Sequence, residues 1–214
     1  MALICPACKE ENPDRARFCL ACGAALGETT EPAEERKVVS VLFVDLVGFT
    51  NRSDRADPED VRAILRPYHA RMKHEIERFG GTIEKFVGDA VMAVFGAPAA
   101  HEDDAERAVR AALRILEAID ELNAENSGLD LAVRAAVNTG EALVSLTAQP
   151  ERGEGIATGD VVNTASRLQN AAPTGGLVAG EPTYLATRHT IDYEEAQPVS
   201  VKGKSEPLAI WRAV

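Results

Sequence analysis

From Val38 to Leu46 the chain reads VVSVLFVDL, apolar at every position but Ser40 and Asp45. The run is too short and too β-branched for a helix and predicts a buried strand. Asp57-Pro58-Glu59-Asp60 then has the composition of a helix start, with a capping Asp, Pro at the first helical position and acids in the first turn. Val61, Ile64, Leu65, Tyr68, Met72, Ile76 and Phe79 follow at spacings of three and four, which predicts one amphipathic helix ending at Gly80-Gly81. Pro67 falls inside it and predicts a bend.

Thr82–Val87 and Ala90–Phe95 predict two short strands joined by a tight Gly88-Asp89 turn. A second helix is predicted from about Asp103 to Glu125, with Ala105, Ala108, Val109, Ala112, Leu113, Leu116, Ile119 and Leu122 on its buried stripe. Strands near 131–138 and 142–147, bridged by Thr139-Gly140, come next, then a third helix from Asp160 to about Ala171 and strands near 177–179 and 208–212. The order β, α, β, β, α, β predicts an α+β fold, a ferredoxin-like plait with helices on one face of an antiparallel sheet, followed by a C-terminal extension.

The 214 residues, 45% of them apolar, suffice for one sizeable core and a small extra module. Residues 1–26 read as that module, 27–37 as a polar, Pro-containing linker and 38–214 as the main domain. The formal net charge of −11 disfavours nucleic acid or an anionic membrane as partner. No apolar run reaches membrane-spanning length and the first residues lack the layout of a secretory signal, so the expected location is the cytoplasm. His69, His74, His101 and His189 show no ligand spacing and are expected on the surface or in packing roles.

Two features carry chemistry. Asp45 ends one apolar strand and Asp89 occupies the turn between two others, where an ionised carboxylate is costly unless a cation or hydrogen bonds compensate it. Two such acids in one site suit a divalent metal that also binds substrate phosphate, which points to nucleotide chemistry. All four cysteines lie in the first 22 residues, Cys5 and Cys8 in one Cys-x-x-Cys, Cys19 and Cys22 in another. Four thiolates satisfy one tetrahedral Zn²⁺ with no open position, so a closed structural site is expected, in preference to a redox dithiol or two disulfides.

Four motifs then occur in order: Phe43-Val44-Asp45-Leu46-Val47-Gly48-Phe49-Thr50, Lys85-Phe86-Val87-Gly88-Asp89, Gly159-Asp160-Val161-Val162-Asn163-Thr164-Ala165-Ser166-Arg167-Leu168, and Val201-Lys202-Gly203-Lys204. With them, residues 36–214 resemble the class III adenylate/guanylate cyclase catalytic domain, and the cysteine segment resembles short bacterial zinc ribbons. The resemblance implies conversion of ATP, or alternatively GTP, to a 3′,5′-cyclic nucleotide and pyrophosphate, in a homodimer with shared sites and two Mg²⁺ or Mn²⁺ ions per site. By it, Asp45, Asp89 and the Leu46 carbonyl hold metal, while Val47, Gly48, Phe49 and Thr50 approach the phosphates. Asn163 would orient the ribose, Arg167 would stabilise the transition state, and Lys202 would grip the terminal phosphates, with Lys204 close to it in sequence. Lys85 matches an adenine-reading lysine. The second purine-reading position falls on Ile156, which has no side-chain hydrogen-bonding group. That departure leaves base preference open and sustains a rival reading, a weakly active nucleotide-binding or dimerisation module of a larger signalling protein, with an effector or sensor region beyond this chain.

Overall fold

The computed structural model describes all residues except 1, 2, 6, 15, 25, 27–33, 50–52, 54, 55, 127, 151–153 and 202. Thr50 and Lys202 therefore lie outside the described residues. The chain divides into two compact units, residues 1–33 and 34–214.

In the first unit, β1 (Leu3–Ile4) pairs with β2 (Glu11–Asn12) in an antiparallel ladder. The second unit is built on β3 (Glu34–Leu46), a 13-residue strand at the middle of an eight-stranded sheet. It begins four residues before the predicted boundary. Glu34 to Lys37, expected in the linker, continue the pairing with the neighbouring strand, opposite residues 142–145. Their polar side chains gave no strand signal, yet the ladder is made by backbone groups.

The helix α1 (Pro58–Arg78), the hairpin β4 (Thr82–Val87) and β5 (Ala90–Phe95), and the helix α2 (Asp104–Glu125) follow as the periodicities predict. The next element departs from expectation. Instead of two strands about a turn, β6 (Val133–Ser145) is continuous, with Thr139 and Gly140 in register opposite Ser40 and Val39. Thr139 stays in the strand because its hydroxyl bonds Ser40 Oγ at 2.8 Å and Thr183 Oγ1 at 2.9 Å.

The order β4-β5-β3-β6, every neighbour antiparallel, is that of the plait. Beyond it come β7 (Ala157–Thr158), α3 (Asp160–Ala171), β8 (Leu177–Gly180), α4 (Glu181–Thr187), β9 (Tyr193–Val199) and β10 (Leu208–Ala213). β8 adds to β6 in parallel, making the sheet mixed, and β10 and β9 extend it.

Alternation along β3 sorts the core into two layers. Leu42, Val44 and Leu46 pack with Tyr68, Met72 and Ile76 of α1 and with Ala108, Ala112 and Ile115 of α2. Val39 and Val41 face the other way, against Val161 and Ala165 of α3. Helices thus cover both faces, not one, because the extension returns α3 to the face that the plait leaves bare. No helix among the described residues is long and apolar enough to cross a membrane.

Candidate functional site

Asp45 lies one residue beyond the last β3–β5 pair, Val44 and Val91, and directly opposite Arg134 of β6. Asp89 is in the turn just before Ala90, so topology brings the two acids to the same end of adjacent strands. Their carboxyls interact: burial first, and after it the charge and hydrogen bonding of Asp45, push the Asp89 carboxyl above its ordinary pKa, against lowering pulls from its own backbone N–H and, more weakly, from Arg134. Asp45 Oδ2 accepts from Arg134 Nη2 at 3.1 Å and from Gln169 Nε2 of α3 at 3.3 Å. Arg134 supplies the compensating cation, and its own Nε is buried without a partner.

The Gly88-Asp89 turn is held from α1. Tyr68 Oη donates to the Asp89 carbonyl at 3.0 Å, and His69 Nε2 bonds the Gly88 carbonyl at 2.9 Å while its ring packs on Phe86. Gly88 takes φ +63°, a left-handed conformation that keeps the turn tight and that glycine adopts without strain. Burial, then Asp45 and Asp89, push the Tyr68 phenol far up, so it stays a donor. His69 is a packing residue, as expected, with the added task of holding this turn.

After Leu46 the chain turns at Val47, whose N–H bonds the Ala132 carbonyl at 2.7 Å, and at Gly48; Phe49 then buries its ring among α1 and α2 residues. Asp45, Leu46, Val47, Gly48, Phe49 and Asp89 therefore come together at one end of the sheet. Two carboxylates with a turn of accessible backbone beside them are a donor set that fits hard divalent cations.

The other predicted residues form a second group. Asn163 is exposed on α3 and donates to the Gly159 carbonyl at 3.5 Å. Arg167 is half-buried, and a Cβ built on Gly203 would lie 3.6 Å from its guanidinium, so the backbone at Gly203 passes close to Arg167. Lys204 is committed to Asp160 at 2.7 Å, and Thr164 Oγ1 also donates to that carboxylate at 3.3 Å. Lys85 is exposed on β4, whereas Ile156, 5% exposed, packs among Met92, Val94 and Ala97.

Gln169 follows Arg167 by two residues, about 200° round the helix. Within one chain the Asn163/Arg167 side of α3 thus faces away from the side that touches Asp45. Within one copy the two groups do not come together.

In the first unit, the four cysteine ligand atoms lie within 4.8 Å of one another. Cys5 Sγ is 3.6 Å from Cys22 Sγ, and Cys8 Sγ is 3.5 Å from Cys19 Sγ. A tetrahedron with Zn–S bonds of about 2.3 Å has edges of about 3.8 Å, so the cluster fits that ion. The two knuckles repeat one geometry: the N–H of Lys9 bonds the Cys5 carbonyl at 3.0 Å, and that of Gly23 bonds the Cys19 carbonyl at 2.9 Å. The backbone N–H of Cys8 holds the Cys5 thiol down, and that of Cys22 holds Cys19 down to about 6.

Sequence reasoning missed Arg134, Gln169 and Tyr68. A signal existed for one of them: Arg134 is a charged residue inside a run otherwise read as a strand.

A family model described as adenylate and guanylate cyclase catalytic domain matches residues 31–211. "Adenylate cyclase 1" of Rhizobium meliloti is 32% identical over 184 residues, 84% of this chain and 28% of that protein. The adenylate cyclase of Anabaena cylindrica is 27% identical over 84% of this chain and 37% of its own length, so the chain spans about a third of these relatives. Among solved structures, the adenylyl cyclase CyaB from P. aeruginosa matches with TM-score 0.76 and 31% identity, covering 85% of this chain and 95% of that one. The guanylyl cyclase Cya2 matches with TM-score 0.79 and 31% identity, covering 85% and 93%. On the match across residues 31–211 and these likenesses of sequence and fold, the chain belongs to the family of adenylate and guanylate cyclase catalytic domains.

Proposed function

We propose that this chain converts ATP to 3′,5′-cyclic AMP and pyrophosphate at two sites shared between the subunits of a homodimer. The observation that carries the reading is the convergence of Asp45 and Asp89 at one sheet end, with Asn163 and Arg167 on a helix face turned away from them. One protomer supplies Asp45, Asp89 and the Leu46 carbonyl as seats for two Mg²⁺ or Mn²⁺ ions. When bound, such ions lower the pKa of the ribose 3′-hydroxyl and neutralise the triphosphate.

The chain's own groups do the rest. Arg134 and Gln169 fix the Asp45 carboxylate, and Tyr68 and His69 fix the turn bearing Asp89, so neither acid has to reorganise when substrate arrives. Gly48, Phe49 and Thr50 bring backbone N–H groups to the phosphates, whereas the Val47 N–H, committed to the Ala132 carbonyl, shapes the turn instead. The partner protomer supplies Asn163 to orient the ribose and Arg167 to offset charge growing on the α-phosphoryl oxygens, a stabilisation specific to the transition state. Lys202 holds the terminal phosphates. The pairing of Lys204 with Asp160 supports Lys202 over Lys204 for that task.

We infer in addition that residues 1–33 hold one structural Zn²⁺ on Cys5, Cys8, Cys19 and Cys22. Reduced thiols and ATP are both cytoplasmic, which supports a location there. A second reading, a nucleotide-binding or dimerisation module with little turnover, is favoured by Ile156, which lies in an apolar cluster where a purine-reading group is expected.

Purified chain incubated with ATP or GTP, each with Mg²⁺ and with Mn²⁺, decides between them by chromatography of the products. Metal-dependent cyclic AMP formation, abolished in Asp45→Asn, is the expected result. Tight ATP binding without cyclic product under every condition would select the second reading.

A further inference from the structure

Glu84 has a side chain only 3% exposed although it stands on β4, the edge strand of the sheet. The pairing of β4 with β5 explains this. Ile83 pairs with Ala93 and Lys85 with Met92, so Glu84 is the extra residue of a bulge. Bulges re-aim a side chain, and this one turns the Glu84 carboxylate towards the segment leading into β7. Its Oε2 accepts the Ala157 N–H at 3.1 Å. Its Oε1 is 3.6 Å from Lys85 Nζ, and a Cβ built on Gly155 would meet that oxygen at 3.5 Å. A single carboxylate therefore touches the residues on both sides of Ile156, and also the ammonium of Lys85. Glu84 and Lys85 together line one groove of about 670 Å³.

We propose that Glu84 is a specificity-determining positioning residue, one that fixes the Lys85 ammonium and the backbone at Ile156 and thereby sets which purine is accepted. The proposal rests on the cyclase reading of the site. Its chemistry follows from donors and acceptors. An ammonium only donates, and on the six-membered ring it meets an acceptor at N1 of adenine but a donor at N1 of guanine. Guanine offers an acceptor instead at O6. A Lys85 held beside Glu84 stays where it favours adenine; because its side chain is more than half exposed even when so paired, nothing else restrains it from following O6 once the pairing is lost. With no polar side chain at 156, this tether carries the discrimination.

The test measures kcat and KM for ATP and GTP with Mn²⁺ on the full chain, together with competition of both nucleotides against a fluorescent, non-cyclisable 3′-deoxy-ATP analogue. Glu84→Gln keeps an acceptor for the Ala157 N–H but removes the charge. It is expected to lower the ATP-over-GTP preference by roughly two- to fivefold, the upper part of what a largely exposed ion pair contributes. The change should appear in KM and in competition more than in kcat, and E84Q should have no further effect in a Lys85→Gln background.

An unchanged preference in E84Q, or effects of E84Q and K85Q that simply multiply, overturns the proposal. Should E84Q lose thermal stability, K85Q alone decides, because its exposed side chain is dispensable to folding; an unchanged ratio there overturns the proposal equally. Wild-type chain that binds nucleotide but yields no cyclic product would refute the cyclase reading, and the competition arm would still read the role of Glu84.

Discussion

Asp89 sits half-buried beside a second carboxylate, and both circumstances favour its protonated form. An acid whose folded pKa is raised keeps its proton in the native state at pH values where the unfolded chain has already released it. Stability therefore falls as pH rises through the interval that starts near the ordinary Asp value of about 3.9 and ends at the raised one. This sign is opposite to that of a carboxylate paired with a cation. Thermal melts in chelator should show wild-type chain losing stability upward from about pH 4, while Asp89→Asn gives a flatter profile and a higher Tm at neutral pH. Added Mn²⁺ should restore the wild type by mass action, about 2.7 kcal/mol at a hundredfold excess over Kd, and leave D89N unmoved. Coincident pH profiles of the two chains would remove Asp89 from the metal seat.

At the scale of elements, the proposed zinc on the two cysteine knuckles would be what sustains the first unit. β1 and β2 are two residues each, far below what an isolated hairpin needs to persist in water. Zinc on four thiolates supplies about 10–16 kcal/mol of apparent binding free energy in small peptides, more than enough to fix such a unit. Metal analysis should find one zinc per chain. Its removal by chelator should collapse hydrogen-exchange protection of the Lys9 and Gly23 amides, and Cys19→Ser should reproduce that loss; protection that survives complete zinc removal would sink the assignment. The clustering of the four cysteines was readable from their spacing alone. The same holds for α1, α2 and α3, whose apolar periodicity is long enough to outvote local exceptions such as Pro67. β6 was misread because Thr139-Gly140 carries a turn signal that hydroxyl bonding and ladder register override. α4 and β9 had no signal to read. The first is seven residues long, and the second, YEEAQPV, is an outer strand with a mostly polar exposed sequence. In the site, the acids were visible as exceptions within apolar runs. The groups that hold them, Arg134, Gln169 and Tyr68, became visible only when non-local pairing set them opposite one another.

At the scale of the molecule, a chain with formal charge −11 has no general attraction for a triphosphate, so capture falls to metal and to a few cations placed where phosphate must go. In one copy those cations and the metal seat stand on opposite sides of α3. Val47, Phe86 and Val87, near the two acids, are exposed apolar residues that a second copy can cover. On the proposed reading a two-fold dimer would complete this arrangement, since each patch that offers acids would meet its partner's patch that offers Arg167. Asp45→Ala and Arg167→Ala should each be inactive alone, for every site in either homodimer lacks one group. Mixed as purified chains and allowed to exchange, they form heterodimers in which one site carries both defects and the other carries none. With free exchange about half of the dimers are mixed, so activity should recover to about a quarter of wild type. Recovery should rise with time at the rate of subunit exchange, followed independently by energy transfer between labelled copies. Exchange demonstrated by that signal without any return of cyclic nucleotide would mean that each copy works alone, and the shared-site mechanism would fall.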